Sequence, residues 1–254
     1  MWNPDDMISL GAKRAQCRQC GAPTQERTAQ IDGIDGELME VTMRSAYCSE
    51  ECEKTYSVRL AAQERRAATL GVFMSAGIPE RMQEEYEAVK ALVDAPRALR
   101  DFIDADNRRR AVHIHGNAAT GKTTLALYAL DRLAESKQIS DALYVREDDL
   151  LRALKPFGDR LAEFVNTDLL IIDRCGVTSS ASAKDVELFD ALIDKREARG
   201  GRTITVASET LGALLRDETR ALYTKNVVMR LVKLAASKEQ CETADHNFIL
   251  AGLL

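Results

Sequence analysis

Long apolar runs, a signal-like start and an excess of positive charge are all missing from this sequence. No stretch reaches the roughly 18 consecutive apolar residues that suggest a membrane-spanning helix. The first residues, MWNPDDMISLGAKR, carry acids where a secretory signal would be basic and then apolar. The net charge of −5 argues against a protein that coats nucleic acid by bulk electrostatics, although a local basic patch is still allowed. We therefore expect a cytoplasmic protein with no membrane contact.

A cytoplasmic chain rarely forms disulfides, so the six cysteines are interpreted as metal ligands or free thiols. Four of them are paired by spacing, in the segments CRQC and CSEEC: Cys17 with Cys20, and Cys48 with Cys52. The chain between the pairs is long enough for a hairpin, with its turn at IDGIDG, residues 31–36. Four thiolates with this spacing fit one tetrahedral zinc ion. Four unconnected thiols or a redox pair are the alternatives.

A helix is predicted to follow the second cysteine pair. Ser49 is a good N-cap, two glutamates suit the first turn, and apolar positions continue to Leu70. A cysteine turn followed by a helix that carries thiolates at its start resembles a treble-clef zinc finger. The other two cysteines, Cys175 and Cys241, have no partner pattern and are interpreted as inert. Residues 1–75 are thus predicted to form a zinc-binding module with a connecting helix.

Residues 111–130, AVHIHGNAATGKTTLALYAL, contain a complete G-x-x-x-x-G-K-T motif between an apolar strand and a helix-forming segment. In such a P-loop, backbone N–H groups and the positive end of the helix bind phosphate. The lysine neutralises the β- and γ-phosphates, and the threonine hydroxyl binds Mg²⁺. The predicted nucleotide-binding residues are Gly116, Asn117, Ala118, Ala119, Thr120, Gly121, Lys122, Thr123 and Thr124. His113 and His115 in the preceding strand are interpreted as packed neutral side chains.

A second strand delivers a carboxylate. The segment DLLIIDRCG, residues 168–176, runs through four apolar residues into Asp173, which is typical of a buried parallel strand ending at the ligand-binding edge of a sheet. In P-loop NTPases an aspartate at this place holds Mg²⁺, so we predict that role for Asp173. Further strands are predicted at 142–146, 203–208 and 247–251. Because helical segments separate the strands, we expect a parallel sheet with helices on both faces.

Five segments in order, GNAATGKTTLA, YVREDDLLRALK, LLIIDRCG, TITVASET and LYTKNVVMRLV, resemble the bacterial replicative helicase loaders and the related transposition helper ATPases, both of which are AAA+ proteins. The similarity covers roughly residue 76 to the C-terminus, and the cysteine module followed by a helix and GIPERM is similar to that of many loaders. The resemblance implies an α/β AAA+ ATPase domain at 76–254. It also implies a five-stranded parallel sheet of order 5-1-4-3-2.

The resemblance implies further site residues and partners. AAA+ ATPases hydrolyse ATP between neighbouring subunits, and Arg230 in NVVMRLV matches the arginine finger that reaches the next subunit's γ-phosphate. A solvated helix arginine would give the same pattern. The region at and after the strand predicted at 142–146 is implied to bind single-stranded DNA, through Arg146, Arg152, Lys155 and Phe157. A short amphipathic helix would have the same pattern. Arg108–Arg110 are interpreted as solvated surface.

Two positions depart from the family pattern. Members commonly carry Asp or Glu directly after the magnesium aspartate, where it aligns or deprotonates the attacking water, and this chain has Arg174. The fourth strand usually ends in a polar sensor, often Asn, and this chain has Glu209. Either Glu209 orients the water with Arg174 as its counter-ion, or the site binds ATP and hydrolyses it slowly. The residues with predicted catalytic roles are Lys122, Asp173, Glu209 and Arg230.

Three functions agree with these patterns. The first is an ATPase that uses ATP, Mg²⁺ and Zn²⁺, self-associates through its ATP site and loads a replicative helicase onto single-stranded DNA. The second is a transposition helper ATPase that delivers a transposase to target DNA. The third is a scaffold stabilised by nucleotide with little turnover. The zinc module favours the loader, because an added domain can grip a helicase.

Overall fold

The computed structural model of the 254-residue chain describes residues 16–24, 26–32, 38–44, 46–104, 110–155, 160–178, 181–234 and 241–242. The chain divides into two compact units, Met1–Ala67 and Ala68–Leu254. The boundary falls inside one long helix, α1, which spans Glu50–Ser75.

The first unit contains a hairpin followed by the start of α1. Strands β1, Glu26–Asp32, and β2, Leu38–Arg44, pair antiparallel along their whole length, so the predicted hairpin forms. Its connecting residues, 33–37, lie outside the described residues. Ser49 Oγ accepts a hydrogen bond from the N–H of Cys52 at 3.2 Å, which confirms Ser49 as the cap of this helix.

The second unit is built on a parallel sheet. Four strands of five to seven residues form most of it: β3 Ala111–His115, β4 Ala142–Arg146, β5 Leu169–Cys175 and β6 Arg202–Ala207. A two-residue strand, β7, Cys241–Glu242, pairs with β3. The order is β4-β5-β6-β3-β7, which is the predicted 5-1-4-3-2 when the P-loop strand is numbered one. The strand predicted at 247–251 lies outside the described residues.

Helices alternate with these strands: α2 Glu80–Val89, α3 Arg97–Asp104, α4 Lys122–Glu135, α5 Glu147–Leu154, α6 Leu161–Asn166, α7 Ala183–Arg199, α8 Leu211–Arg216 and α9 Lys225–Leu234. A short 3₁₀ turn, Lys90–Leu92, follows α2. Helices α2 and α3 begin directly after Pro79 and Pro96, because the first turn of a helix does not use the N–H that proline lacks. In the described parts of the chain no helix is long and apolar enough to cross a bilayer.

Alternating residues of the interior strand β5 face two separate cores. Leu169 and Ile171 pack with α2, α3 and α4, whereas Leu170 and Ile172 pack with α5 through α9. Successive side chains of a strand point to opposite faces, so the continuous apolar run of β5 serves both layers. The predicted sheet with helices on both faces is therefore confirmed, and the carboxyl ends of its strands share one edge.

Candidate nucleotide site and cysteine cluster

The four paired cysteines converge at one point in the first unit. Their sulfur atoms all lie within 4.8 Å of one another, and three of the sulfur–sulfur distances are 3.5, 3.5 and 3.8 Å. Four sulfurs bound to zinc at about 2.3 Å would stand about 3.8 Å apart in a tetrahedron, whereas a disulfide needs about 2.05 Å. The cluster of Cys17, Cys20, Cys48 and Cys52 therefore fits one zinc ion and not two disulfides.

Local backbone geometry presents these thiols. The N–H of Gly21 donates to the carbonyl of Cys17 at 2.9 Å, and Gly21 completes this turn at a φ of 75°, a conformation that glycine adopts without strain. Cys48 precedes α1 and Cys52 lies in its first turn. A cysteine turn, a hairpin and a helix start are the parts of a treble-clef zinc module.

The pKa values of the cluster show why a cation suits it. Burial raises the pKa of Cys17, but backbone N–H groups, first that of Cys20, outweigh it and lower the pKa to about 6. The thiols of Cys52 and Cys20 raise the pKa of Cys48 to about 12. Thiolates this close repel one another, so all four ionise together only when a bound cation supplies the opposite charge.

The loop between β3 and α4 has the shape of a phosphate-binding loop. Gly116, Ala119 and Gly121 have φ values of 142°, 60° and 82°, which turn the backbone in ways that residues with a side chain rarely adopt. The left-handed conformation of Ala119 costs roughly 1 kcal/mol or more. Strain of this kind concentrates at functional sites. Residues 117–119 are exposed, and the N-terminus of α4 follows directly, which favours anion binding.

Lys122 begins α4 and extends back over this loop. Its Nζ donates to the carbonyl of Gly116 at 2.9 Å and to that of Asn117. Partial burial lowers the pKa of Lys122, and the nearby carboxylate of Asp173 opposes that shift. The ammonium group is therefore positioned over the loop in which phosphate oxygens would lie.

Asp173 is buried near the end of β5 and lies beside the P-loop. Its Oδ2 accepts a hydrogen bond from the hydroxyl of Thr123 at 3.2 Å, and its Oδ1 accepts one from the N–H of Arg174 at 2.7 Å. Mg²⁺ prefers oxygen ligands such as carboxylates, and P-loop ATPases hold it with this pair of residue types. The structure thus brings together the two residues that the sequence predicts for magnesium.

Tyr144, on β4, is a member of the site that sequence reasoning missed. Its hydroxyl donates to Asp173 Oδ2 at 2.6 Å. Burial raises the pKa of Tyr144, and the charge of Asp173 raises it further, so the phenol stays a neutral donor. A tyrosine in an apolar strand usually indicates packing. A buried tyrosine hydroxyl needs a hydrogen-bond partner, and this need is the one signal in the sequence that could have indicated the contact of Tyr144 with Asp173.

A bulge near the end of β5 separates Asp173 from Arg174. Ile172 pairs with Thr205 and Cys175 with Ala207, so β5 holds one extra residue relative to β6. Arg174 sits at a φ of 58° with an exposed side chain. Among the described residues, no ion pair or hydrogen bond joins Arg174 to Glu209. The structure therefore does not form the counter-ion pair, because the bulge turns Arg174 toward solvent.

A buried imidazole holds Glu209 by its backbone. His113 Nε2 lies 2.8 Å from the carbonyl oxygen of Glu209, and Nδ1 lies 2.8 Å from Thr205 Oγ1. A carbonyl only accepts hydrogen bonds, so Nε2 carries the proton and Nδ1 accepts from the threonine. Burial lowers the pKa of His113 to about 4, which confirms a packed neutral histidine. His113 thereby ties the P-loop strand to the segment that carries Glu209.

Glu147, the first residue of α5, is a second residue that the sequence did not single out. Its buried carboxylate accepts from the N–H groups of Gly176 and Thr178 at 2.8 and 3.1 Å and from the hydroxyl of Tyr223 at 2.6 Å. These three donors hold the carboxylate in place. Glu147 therefore positions the chain after β5.

Arg230, on α9, binds three acids of α7 in the same chain. Its guanidinium nitrogens lie 2.7, 2.8 and 3.6 Å from carboxylate oxygens of Asp190, Asp194 and Glu197. These acids follow helical spacing, so they share one face of α7. In this structure Arg230 bridges two helices, and its role as an arginine finger stays a prediction.

Two of the described cations predicted to contact DNA, Arg152 and Lys155, have acidic neighbours in the same chain. Arg152 pairs with an aspartate of its own helix at 2.6 Å, and Lys155 lies 3.2 Å from a carboxylate oxygen of Asp185. Arg146 is exposed. Phe157 lies outside the described residues, so its stacking role stays a prediction.

Fold and site together define a class. A P-loop follows the first strand of the α/β unit, an aspartate from the third strand lies beside the P-loop threonine, and the strands have the order 5-1-4-3-2. This combination is the arrangement of a P-loop nucleotide-binding α/β fold with the predicted strand order. ATP and Mg²⁺ fit it: Lys122 would bind phosphate oxygens, Thr123 and Asp173 would hold the ion, and the ion would neutralise charge on the phosphates.

Scans against protein-family models and against curated protein sequences return no match. Among solved structures the chain is similar to the DnaC helicase loader, with 20% identity over 57% of this chain and 85% of that one and a TM-score of 0.46. It is also similar to DnaI, with 18% identity over 63% of this chain and 83% of that one and a TM-score of 0.46. It is similar to the replication initiator DnaA bound to AMPPCP and single-stranded DNA, with 14% identity over 59% of this chain and 46% of that one and a TM-score of 0.46. At such low identities, the class assignment rests on this chain's own strand order and site geometry.

Proposed function

We propose that this chain is an ATP-dependent AAA+ protein of DNA replication that loads a replicative helicase onto single-stranded DNA. One observation carries the nucleotide part: Thr123 Oγ1 and Asp173 Oδ2 lie 3.2 Å apart, beside the loop that Lys122 covers. The helicase part is supported by the ordered segments that resemble the loaders, and by a cysteine module that precedes the ATPase unit.

Glu209 is the residue proposed to orient the attacking water. It belongs to the carboxyl edge of the sheet, where β6 is the neighbour of both β3 and β5, and its backbone is held by His113 at 2.8 Å. Arg174 takes no part in this proposal, because its side chain is exposed. A positioned carboxylate can act as the general base for the attacking water, so we expect measurable turnover that depends on this one residue.

Oligomerisation is proposed to use Arg230. The arginine leaves the three carboxylates of α7 and reaches the γ-phosphate bound by the neighbouring subunit. Its side chain is 27% exposed, and each ion pair is partly solvated, so the pairs hold it by only about 1 kcal/mol each or less. An arginine contact to a γ-phosphate is stronger because it is a charge-assisted bond in a drier site.

Co-purification of the tagged chain with and without ATP tests the loader function. We expect a hexameric replicative helicase to be captured with ATP and lost with Lys122→Ala, which removes the ammonium facing the phosphates. Arg81→Ala is the matched control, since Arg81 is an exposed cation on α2. Capture of a transposase instead would identify a transposition helper.

Phosphate release under multiple turnover distinguishes an ATPase, whether a helicase loader or a transposition helper, from a scaffold with little turnover. A chain that binds ATP tightly and releases no phosphate, with or without single-stranded DNA and helicase, would contradict the proposed function. A chain that fails to bind ATP at all would contradict the nucleotide site itself. The two failures are distinguished by measuring nucleotide binding and phosphate release on the same preparation.

A further inference from the structure

A polar cavity lies at the opposite edge of the sheet from the P-loop. Its volume is about 220 Å³, and it is lined by residues that include Arg110, Asp168, Arg199 and Arg202. The backbone places three of these at the starts of adjacent strands: the N–H of Arg202 donates to the carbonyl of Asp168 at 2.9 Å, and the N–H of Thr203 donates to that of Arg110 at 2.7 Å. Two strand starts and the C-terminal end of α7 thus bring three guanidinium groups to one cavity.

The cations of this cavity bind only neutral groups among the described residues. Arg202 is buried and donates to the carbonyl of Phe102 at 3.0 Å and to the amide oxygen of Gln138. Arg199 donates to the amide oxygen of Asn166. Within the described residues neither of them, nor Arg110, forms an ion pair. Arg202 is the buried member, whereas Arg110 is half-buried and Arg199 is exposed. Burying a cation without an anionic partner is costly, so the position of Arg202 calls for a reason beyond stability.

Their pKa values show that these cations repel one another. The pKa of Arg202 is lowered first by burial and then by the charge of Arg110. Beneath the cavity, the pKa of fully buried Arg196 is lowered to about 10, first by burial and then by Arg199, against the opposing charges of two aspartates. An added anion would relieve this repulsion.

One carboxylate also lines the cavity, and it is already occupied. Asp168 Oδ2 accepts two hydrogen bonds from Ser140, one from the backbone N–H and one from the hydroxyl, both at 2.8 Å. The three guanidinium groups outnumber this one carboxylate, so the cavity has an excess of positive charge. A protein of net charge −5 thus concentrates cations at one polar site.

We propose that this cavity binds a phosphate group through Arg110, Arg199 and Arg202. Guanidinium groups present N–H donors in a planar fork that matches a tetrahedral oxyanion. The phosphate belongs either to a nucleic-acid backbone or to free phosphate and phosphorylated small molecules. The site is separate from the P-loop, so it does not depend on the proposed ATPase function.

Calorimetric titration of the full chain with inorganic phosphate tests this site. The P-loop also binds phosphate, so Lys122→Ala is titrated in parallel to remove that component. In the Lys122→Ala background, Arg110→Gln with Arg199→Gln should weaken the remaining binding on the order of tenfold or more, the scale of a lost charged hydrogen bond. The matched control is Arg81→Gln with Arg100→Gln, which removes the same charge from exposed residues of α2 and α3.

A labelled single-stranded oligonucleotide, followed by anisotropy, identifies the source of the phosphate. Weaker binding in the Arg110/Arg199 variant than in the control, together with competition by inorganic phosphate, would assign the site to a nucleic-acid backbone. Unchanged oligonucleotide binding with weakened phosphate binding would assign it to free phosphate. Equal phosphate affinity in the two double variants would overturn the proposal and leave a solvated crevice. Circular dichroism confirms that both variants are folded, and buried Arg202 is left intact for that reason.

Discussion

A mildly acidic pH should destabilise the second unit through one buried side chain, His113. In the folded chain burial lowers the pKa of His113 from its ordinary value of 6.5 to about 4, and its ring nitrogens are engaged by Thr205 and the carbonyl of Glu209. As the pH falls, the unfolded chain therefore binds this proton before the folded chain does. The stabilising contribution is complete above about pH 6.5 and is lost progressively down to about pH 4.

The size of the effect follows from the pKa difference. The pKa of His113 is lower by about 2.5 in the folded chain, which corresponds to about 3 kcal/mol when the transition is complete, since each pKa unit is worth 1.36 kcal/mol. By about pH 5 the linkage relation gives a loss of about 2 kcal/mol. The substitution His113→Gln removes the titration and keeps an N–H donor for the carbonyl of Glu209.

Urea unfolding of both proteins at about pH 7.5 and about pH 5 measures the difference. The free energy of unfolding should fall between these two conditions by about 2 kcal/mol more in the wild type than in His113→Gln. Carboxylates and the cysteine cluster are common to both proteins, so their contributions cancel. Equal losses would refute the reasoning, because they would mean that His113 is protonated in the fold without cost.

Three further outcomes are expected. Cys48→Ser should release about one zinc per chain, measured by metal analysis, and should unfold the first unit while nucleotide binding persists; loss of binding as well would show that the units are not independent. Glu209→Gln should keep ATP binding and lower steady-state hydrolysis on the order of 10²-fold, whereas Arg174→Ala, being exposed, should change it little; the reverse result would restore Arg174 to the site. Gly71→Ala should stabilise α1 by up to about 1 kcal/mol, since nothing lies within 4 Å of the added carbon. Gly176→Ala should destabilise the protein by about 1–2 kcal/mol, because the φ of Gly176 is 79° and the added carbon would lie 2.4 Å from a leucine side chain. Thermal unfolding measures both glycine variants, and equal signs would contradict this account.

Much of the fold was predictable because its signals are local. The strand predicted at 142–146 is β4 to the residue, and the P-loop lies between β3 and α4 as its motif requires. Apolar runs, glycine spacing and a capping serine each act within a few residues, so the structures that they form can be predicted without knowledge of distant segments. The proximity of Thr123 and Asp173 was predictable too, because each residue belongs to a separate recognisable motif.

The sequence by itself therefore determined the class of site, the strand order implied by its resemblance and the cysteine cluster. Only the tertiary structure decided the contacts that join distant segments. Tyr144 meets Asp173 across 29 residues and His113 meets Glu209 across 96, and no spacing rule connects such pairs. The bulge near the end of β5 turned Arg174 to solvent, and α7 surrounded Arg230 with acids. The starts of two strands and the end of α7, which are far apart in sequence, bring three arginines to one cavity. Side-chain direction and charge neighbourhood depend on packing between layers, which a linear pattern does not contain.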